Sequence, residues 1–330
     1  MAKLKVMTWN LENLFSLGHP SAPKTAEDYR QKLESLAAVI LRLNPDILAV
    51  QEVGNVEAFK ELVDLLENRY PHLELSNFPD RRGIRVGFVS KLAIAETEDI
   101  KDLPLAGLSK VVGYSENGTT EISQLGRGAL RILVKPKPDL SLHLINVHFK
   151  SKLLSYPSTT NRPRFSPTNE NERARVAGLA LLKRTAEAVA IRVEANKLLE
   201  NDNSQALIVL GDFNDVPSAA TTQILQGASG SEIGTRGFKL PDKGDDTRLF
   251  NLAPLIDPHR RYSRIYRQNK ELIDHIFVSQ ELLSDRDENL PVVDSHIDFA
   301  DNLPSVGDNP TARRDKPSSD HAPISAIFNL

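Results

Sequence analysis

Leu207-Ile208-Val209-Leu210-Gly211-Asp212-Phe213-Asn214-Asp215 is the stretch whose reading decides the fold. Its four apolar, mostly branched residues read as a strand buried on both faces, and Gly-Asp-Phe-Asn ends it with two short polar side chains at the carboxyl end. If the extended conformation continues, Asp212 and Asn214 point the same way, one able to accept a proton and the other to orient an oxygen between them. A turn into Asn214-Asp215-Val216-Pro217 accounts for the same residues without any chemistry.

Other apolar runs end in the same manner. Leu4 to Trp9 reads as a strand ending at Asn10, with Glu12 just beyond, and Ile47-Leu48-Ala49-Val50 as a buried strand ending at Gln51-Glu52. Leu140 to Val147 leads to His148-Phe149-Lys150. Helical spacing marks Asp28–Leu43, Val56–Asn68 and a long segment from Asn169, with Glu172 as its capping partner, to about Leu199. The long helix carries Ala177, Leu181, Ala188, Ile191, Ala195 and Leu198 on one stripe, expected to face a sheet. Strands are expected over Ile84–Ser90 and Ala129–Val134, and a helix over Ser218–Gln226. Tyr262–Tyr266 and Leu272–Val278 read as a hairpin whose second strand carries Asp274-His275. Residues 227–258 and the acidic, Pro-rich 284–317 read as surface loops, and Pro323–Phe328 as a last strand behind Ser318-Ser319-Asp320-His321.

The composition bounds the chemistry. With 330 residues, 40% apolar and 26% charged, and no repeat or clean linker, the chain reads as one domain, 1–330. A net charge of -3 excludes a generally basic nucleic-acid coat but not a basic groove. Without cysteine there is no disulfide and no thiolate metal site, so any ion must be held by oxygen or imidazole, as magnesium, manganese or calcium are. The amino terminus lacks a signal-peptide pattern and no run approaches a membrane span, so the expected location is cytoplasmic. Asn10, Glu52, His148, Asp212, Asn214, Asp274, Asp320 and His321 all fall at strand ends or starts. Their types suit metal-assisted attack on phosphorus: hard oxygen ligands too few for a closed cage, with histidines and further carboxylates for proton transfer and charge stabilisation.

Trp9-Asn10, Gln51-Glu52, Asn146-Val147-His148, Gly211-Asp212-Phe213-Asn214, Ile273-Asp274-His275-Ile276 and Ser319-Asp320-His321 match, in order, the motifs of a known family. On these the chain resembles the endonuclease/exonuclease/phosphatase superfamily over nearly its whole length. The resemblance implies a four-layer α/β/β/α sandwich of two mixed β-sheets flanked by helices, with the site at its top. It implies Glu52 as principal magnesium ligand, assisted by Asn10 and Asp320, with manganese or calcium as substitutes. Asp274 would orient His321, which contacts a phosphate oxygen. Asp212 would position or deprotonate the attacking water, Asn214 would hold water or phosphate, and His148 would stabilise the pentacovalent phosphorus or protonate the leaving oxygen. Arg127 resembles a phosphate-contacting arginine of some branches, and a surface strand arginine fits equally. Glu12 lies where abasic-site endonucleases carry a second acidic ligand, but other branches vary there.

His148 in place of the tyrosine of abasic-site enzymes points to the branch of deoxyribonucleases, sphingomyelinases and inositol-polyphosphate phosphatases. The segment Arg260–Lys270 mixes cations with aromatics before Asp274, as a backbone-tracking surface or a solvated hairpin face. Lys150, Lys152, Arg162, Arg164, Arg173 and Arg175 would add charge near His148 if their loop folds over the site. His143, His259 and His296 have no such context. The leading expectation is a nuclease acting on DNA, with RNA as a further substrate and no obligate protein partner. A phosphatase or phosphodiesterase acting on a small phosphorylated molecule or lipid head group is the alternative, and a non-catalytic binding protein on the same fold the third.

Overall fold

A computed structural model describes residues 3–104, 110–115, 118–158, 164–200, 205–226, 232–236, 238, 247–283, 290–299, 303–307 and 309–330. One six-stranded sheet contains β1 (Lys3–Leu14), β2 (Ile47–Val53), β3 (His72–Leu75), β4 (Arg85–Ser90), β15 (Val292–Ser295) and β17 (Ile324–Asn329), in the order β15-β17-β1-β2-β4-β3. A second contains β5 (Ile94–Asp102), β8 (Gln124–Lys137), β9 (Leu140–His148), β10 (Gln205–Asp212), β11 (Leu249–Asn251) and β14 (Asp274–Ser279), in the order β11-β14-β10-β9-β8-β5. Two small sheets, β6 (Val112–Ser115) with β7 (Gly118–Glu121), and β13 (Asn269–Glu271) with β12 (Arg264–Tyr266) and β16 (Ser305–Val306), stand outside them.

Alternation along each strand divides the apolar residues between two faces. Val6, Ile47, Ala49, Leu142, Leu144, Ala206, Ile208, Leu210 and Ile276 form one core between the sheets. Met7, Trp9, Leu48 and Val50 face the other way, against α1 (Ala26–Leu43) and α2 (Val56–Asp64). Ile145, Val147, Leu207, Val209 and Phe277 pack with α3 (Glu170–Leu199) and α4 (Ala220–Gln226). The result is helix, sheet, sheet, helix, the expected four layers. The opening stretch is therefore a strand buried on both faces because a sheet covers one and α3 the other.

Several sequence expectations are corrected. The hairpin pairs β12 with β13 through Arg267 and Gln268, both at positive φ, whereas β14 lies in the second sheet, antiparallel to β10. The described part of 284–317 is no loose loop: β15 closes an edge of the first sheet, and Phe299 meets the Trp9 ring edge-on at 5.4 Å. Within 227–258, Leu249 and Phe250 are buried in β11; 227–231, 237 and 239–246 lie outside the described residues. Leu181, expected on the buried stripe of α3, is 49% exposed. The cap of α3 is as expected at Asn169, whose side chain accepts from Glu172 N–H. The α2 helix stops at Asp64 instead of Asn68, and β8 extends well beyond Ala129–Val134 on both sides.

Candidate active site

Strand register assembles the site. β9 and β10 run parallel with Asp212 opposite His148, and β14 runs antiparallel to β10 with Asp274 opposite Asp212. Asp274, Asp212 and His148 thus form one row across three adjacent strands, continuing the inner, inter-sheet face beyond Ile276, Leu210 and Leu144. Gly211 permits the row: at φ +141° a Cβ there would stand 2.0 Å from the Val147 carbonyl oxygen.

The first sheet supplies the facing side. β1 and β2 are parallel with Asn10 beside Gln51, and β17 is antiparallel to β1, so the residues just before β17 enter at the same end. Trp9 Nε1 donates to the His321 carbonyl at 2.8 Å and Ser319 Oγ to the Asn10 carbonyl at 2.6 Å, fixing Asp320 and His321 there. Glu52, at φ +61° where the β2 ladder shifts register, turns its carboxylate to accept the Asn13 N–H at 2.9 Å. A non-glycine residue in that region is held by its surroundings at a cost, a common feature of functional strand ends.

The two sides interlock. Asn10 Nδ2 donates to Asp212 Oδ2 at 3.1 Å, His148 Nε2 lies 3.3 Å from Asp212 Oδ2 and 3.9 Å from Glu52 Oε1, and His321 Nδ1 lies 2.7 Å from Asp274 Oδ2. Asp320 Oδ1 is 4.0 Å from His321 Nε2. Asn214, also at positive φ, donates its backbone N–H to Asp212 Oδ1 and its side-chain amide to the Phe149 carbonyl. These contacts link Asn10, Glu52, His148, Asp212 and Asn214 in one group and Asp274, Asp320 and His321 in another, and the two groups meet where side-chain atoms of Asp212, Asp274 and His321 lie within 4.8 Å of one another.

Its electrostatics separate the roles. Burial, with the Asp274 carboxylate beside it, pushes Asp212 up to about 7. Burial opposes charge on His321, but Asp274, Asp320 and Asp212 outweigh it and raise the imidazole to about 10. His148 is held well below the ordinary histidine value by burial, then by Arg127 and His321. The arrangement offers a near-neutral base, a persistent imidazolium and a neutral imidazole within one small space.

A divalent ion fits these residues. Asp212 and Asp274 lie with His321 so that their polar side-chain atoms are within 4.8 Å of one another, and Asp274 Oδ1 is buried without a hydrogen-bond partner, so acidic oxygens outnumber the donors that meet them. Asn10 meets that cluster at Asp212 and Asp320 meets it at His321, while Glu52 reaches it through His148, so these three side chains would hold the ion beside it. Oxygen dominates the set, as hard cations require.

The expected cations have partners within the protein. Arg127 donates to the Phe149 carbonyl and lies 3.4 Å from Asp80, so it braces the strand carrying His148. Lys150 turns its ammonium to the Ser151 and Leu153 carbonyls, and burial lowers it to about 7. Lys152 pairs with Asp215, Arg164 with Glu172 and Arg173 with Glu170, and Arg162 lies outside the described residues. In the Arg260–Lys270 segment, Arg260 pairs with Asp294 and Asp298, Arg264 lies 3.5 Å from Asp320, and Lys270 sits over the Tyr262 ring. His143 and His296 are tied to Gln205 and Ser325. Sequence reading missed Arg184 and Glu187 of α3, which hold the strand-end loops; charged helix residues carry no signal that separates a buried brace from a solvated face.

This four-layer sandwich, with carboxylate, carboxamide and imidazole gathered where its two sheets end, is of the class that one family of phosphoester hydrolases shares. The chain belongs to the Endonuclease/Exonuclease/phosphatase family, which matches residues 7–321. Solved structures share the fold: TDP2 from C. elegans (TM-score 0.56, 14% identity, 99% of this chain and 75% of that one) and ANGEL2, a 2',3'-cyclic phosphatase (0.56, 13%, 99% and 95%). The human Nocturnin catalytic domain with bound sulfate is similar too (TM-score 0.54, 14% identity, 99% and 94%). No curated protein sequence matches the chain.

Proposed function

We propose that this chain is a magnesium-dependent phosphodiesterase that hydrolyses nucleic acid, DNA first and RNA as a further substrate. The observation carrying this reading is the inner-face row Asp274, Asp212 and His148, set by strand register against Asn10, Glu52, Asp320 and His321. Glu52, Asn10 and Asp320 would hold the ion, which supplies charge neutralisation at a phosphate oxygen. Asp212 receives the proton of the attacking water. His321, kept protonated by Asp274, donates to a non-bridging oxygen, and Asn214 fixes the water. His148, at the other end of the row, faces the leaving oxygen.

The alternative is a phosphatase or phosphodiesterase working on a small phosphoester, favoured by how deeply His148, Asp212 and His321 are buried. Plasmid DNA and bis- and mono-p-nitrophenyl phosphate, each with magnesium, manganese or EDTA, separate the two when wild type is compared with His321→Ala. Metal-dependent nicking that the variant loses supports the nuclease. Intact plasmid with metal-dependent release from a small ester supports the alternative, and silence on every substrate overturns both.

A further inference from the structure

Two charged residues one turn apart on helix α3 are buried: Arg184 at 6% exposure and Glu187 at 2%. Buried charges persist where their hydrogen bonds are met, and each of these is bound twice, at the start of β8 or just beyond the ends of β9 and β10. Glu187 Oε1 accepts the Gly126 N–H at 3.0 Å, and Oε2 accepts the Lys150 N–H at 2.6 Å. Arg184 Nη1 donates to the Lys150 carbonyl at 2.9 Å, and Nε to Asp215 Oδ2 at 3.1 Å. The residue two beyond His148 is therefore gripped at both its N–H and its carbonyl by one helical turn.

From that grip the connections reach every proposed site residue of the second sheet. The Phe149 carbonyl accepts from Arg127 Nη1 at 3.1 Å and Asn214 Nδ2 at 3.0 Å, and Phe149 N–H donates to the Asp212 carbonyl at 2.9 Å. The Asp215 carbonyl lies 2.8 Å from Nε2 of His275, the neighbour of Asp274. The starts of β8 and β14 and the ends of β9 and β10 are thus braced to a single helix. The helix itself is docked by Ala186, Ala190, Ile191 and Ala195, so its packing does not depend on the charged pair.

We propose that Arg184 and Glu187 are positioning residues that hold Arg127, His148, Asp212, Asn214 and Asp274 as one unit against the separately anchored Asn10, Glu52, Asp320 and His321. This rests on the phosphoesterase reading above. Because the brace touches only the second sheet, whereas the proposed ion ligands Asn10, Glu52 and Asp320 stand on the side of the first, its loss separates turnover from metal affinity. In Glu187→Gln, kcat on bis-p-nitrophenyl phosphate falls about 10–100-fold, the scale of a misplaced reacting group, while Mn2+ affinity read from Trp9 fluorescence stays within about twofold. Arg184→Lys keeps the charge but not the two-pronged donor, and loses less. Unchanged kcat, or metal affinity and melting temperature falling in step with it, overturns the proposal.

Hydrogen exchange decides the matter without turnover. In Glu187→Gln, exchange quickens at Gly126 and Lys150 and also at Phe149, Phe213 and Asn214, while the Asn13 amide held by Glu52 is unchanged. A change confined to Gly126 and Lys150 refutes the brace. A wild type silent on every ester refutes the function alone, leaving the exchange pattern to judge the brace.

Discussion

Gln51 and Asn146 join the two sheets directly: Gln51 Nε2 donates to Asn146 Oδ1 at 2.7 Å, one layer below the site. Gln51 Nε2 also reaches Thr8 Oγ1, and Asn146 Nδ2 donates to the carbonyls of Val50 and Gly87. Both side chains are fully buried in the inter-sheet face, where apolar contact alone does not define one sliding position. Asn146→Ala removes the acceptor from Gln51 and a donor from two carbonyls. It is expected to cost about 3 kcal/mol of stability, the penalty of buried polar groups left unpaired. Urea unfolding measures it, and a loss under about 1 kcal/mol would show the bridge to be dispensable.

This pair also marks what the sequence made legible. Strand ends were readable because branched apolar runs stop abruptly at polar residues, and Asp212, His148 and Glu52 stand at such stops. Gln51 and Asn146 were visible as motif letters, but their bond joins residues of different sheets and no spacing announces it. β5 escaped notice because its Glu96, Thr97 and Glu98 form an exposed edge with little apolar pattern. β15 was hidden in an acidic, Pro-rich stretch, where burial of Val293 on an existing edge outweighs local composition.

Trp9, the single tryptophan of the chain, donates its indole N–H to the His321 carbonyl and so reports on the site. Titrating the wild type with Mn2+ is expected to change its fluorescence, and EDTA to reverse the change. Glu52→Gln keeps an acceptor for Asn13 but loses the charge, and is expected to weaken Mn2+ binding about tenfold or more by removing one carboxylate from a sparse oxygen set. Equal titrations of the two proteins would remove Glu52 from the ion's ligands.

The imidazolium of His321 makes the metal-free protein sensitive to alkali. Its value of about 10 in the fold lies above the ordinary ~6.5 of an unfolded histidine, so the folded state binds that proton more tightly. The stabilisation is complete below ~6.5 and is lost as pH rises towards 10. Asp212, raised to about 7, titrates mostly before the upper part of this window. Urea midpoints in EDTA are expected to fall between pH 7.5 and 10 more steeply for wild type than for His321→Gln, a comparison in which lysines and tyrosines cancel. Parallel slopes would mean that His321 carries no such proton.

Glu12, where the resemblance implies a second acidic ligand in one branch, is paired here with an arginine. Arg313 Nε lies 3.0 and 3.1 Å from the two Glu12 oxygens, and Arg313 Nη2 donates to the Ser318 carbonyl, two residues before Asp320. Burial and Asp320 push Glu12 up to about 7, and the opposing pull of Lys32 and Arg313 matches the carboxylate's charge only in part. Arg313→Ala leaves it buried with that match reduced, and is expected to cost about 3 kcal/mol or more, whereas Glu12→Gln with Arg313→Met recovers most of the loss because neither charge remains stranded. Mn2+ affinity in Glu12→Gln is expected to stay near that of wild type, since its partner is an arginine. A tenfold loss there would make Glu12 a ligand and Arg313 only its placeholder.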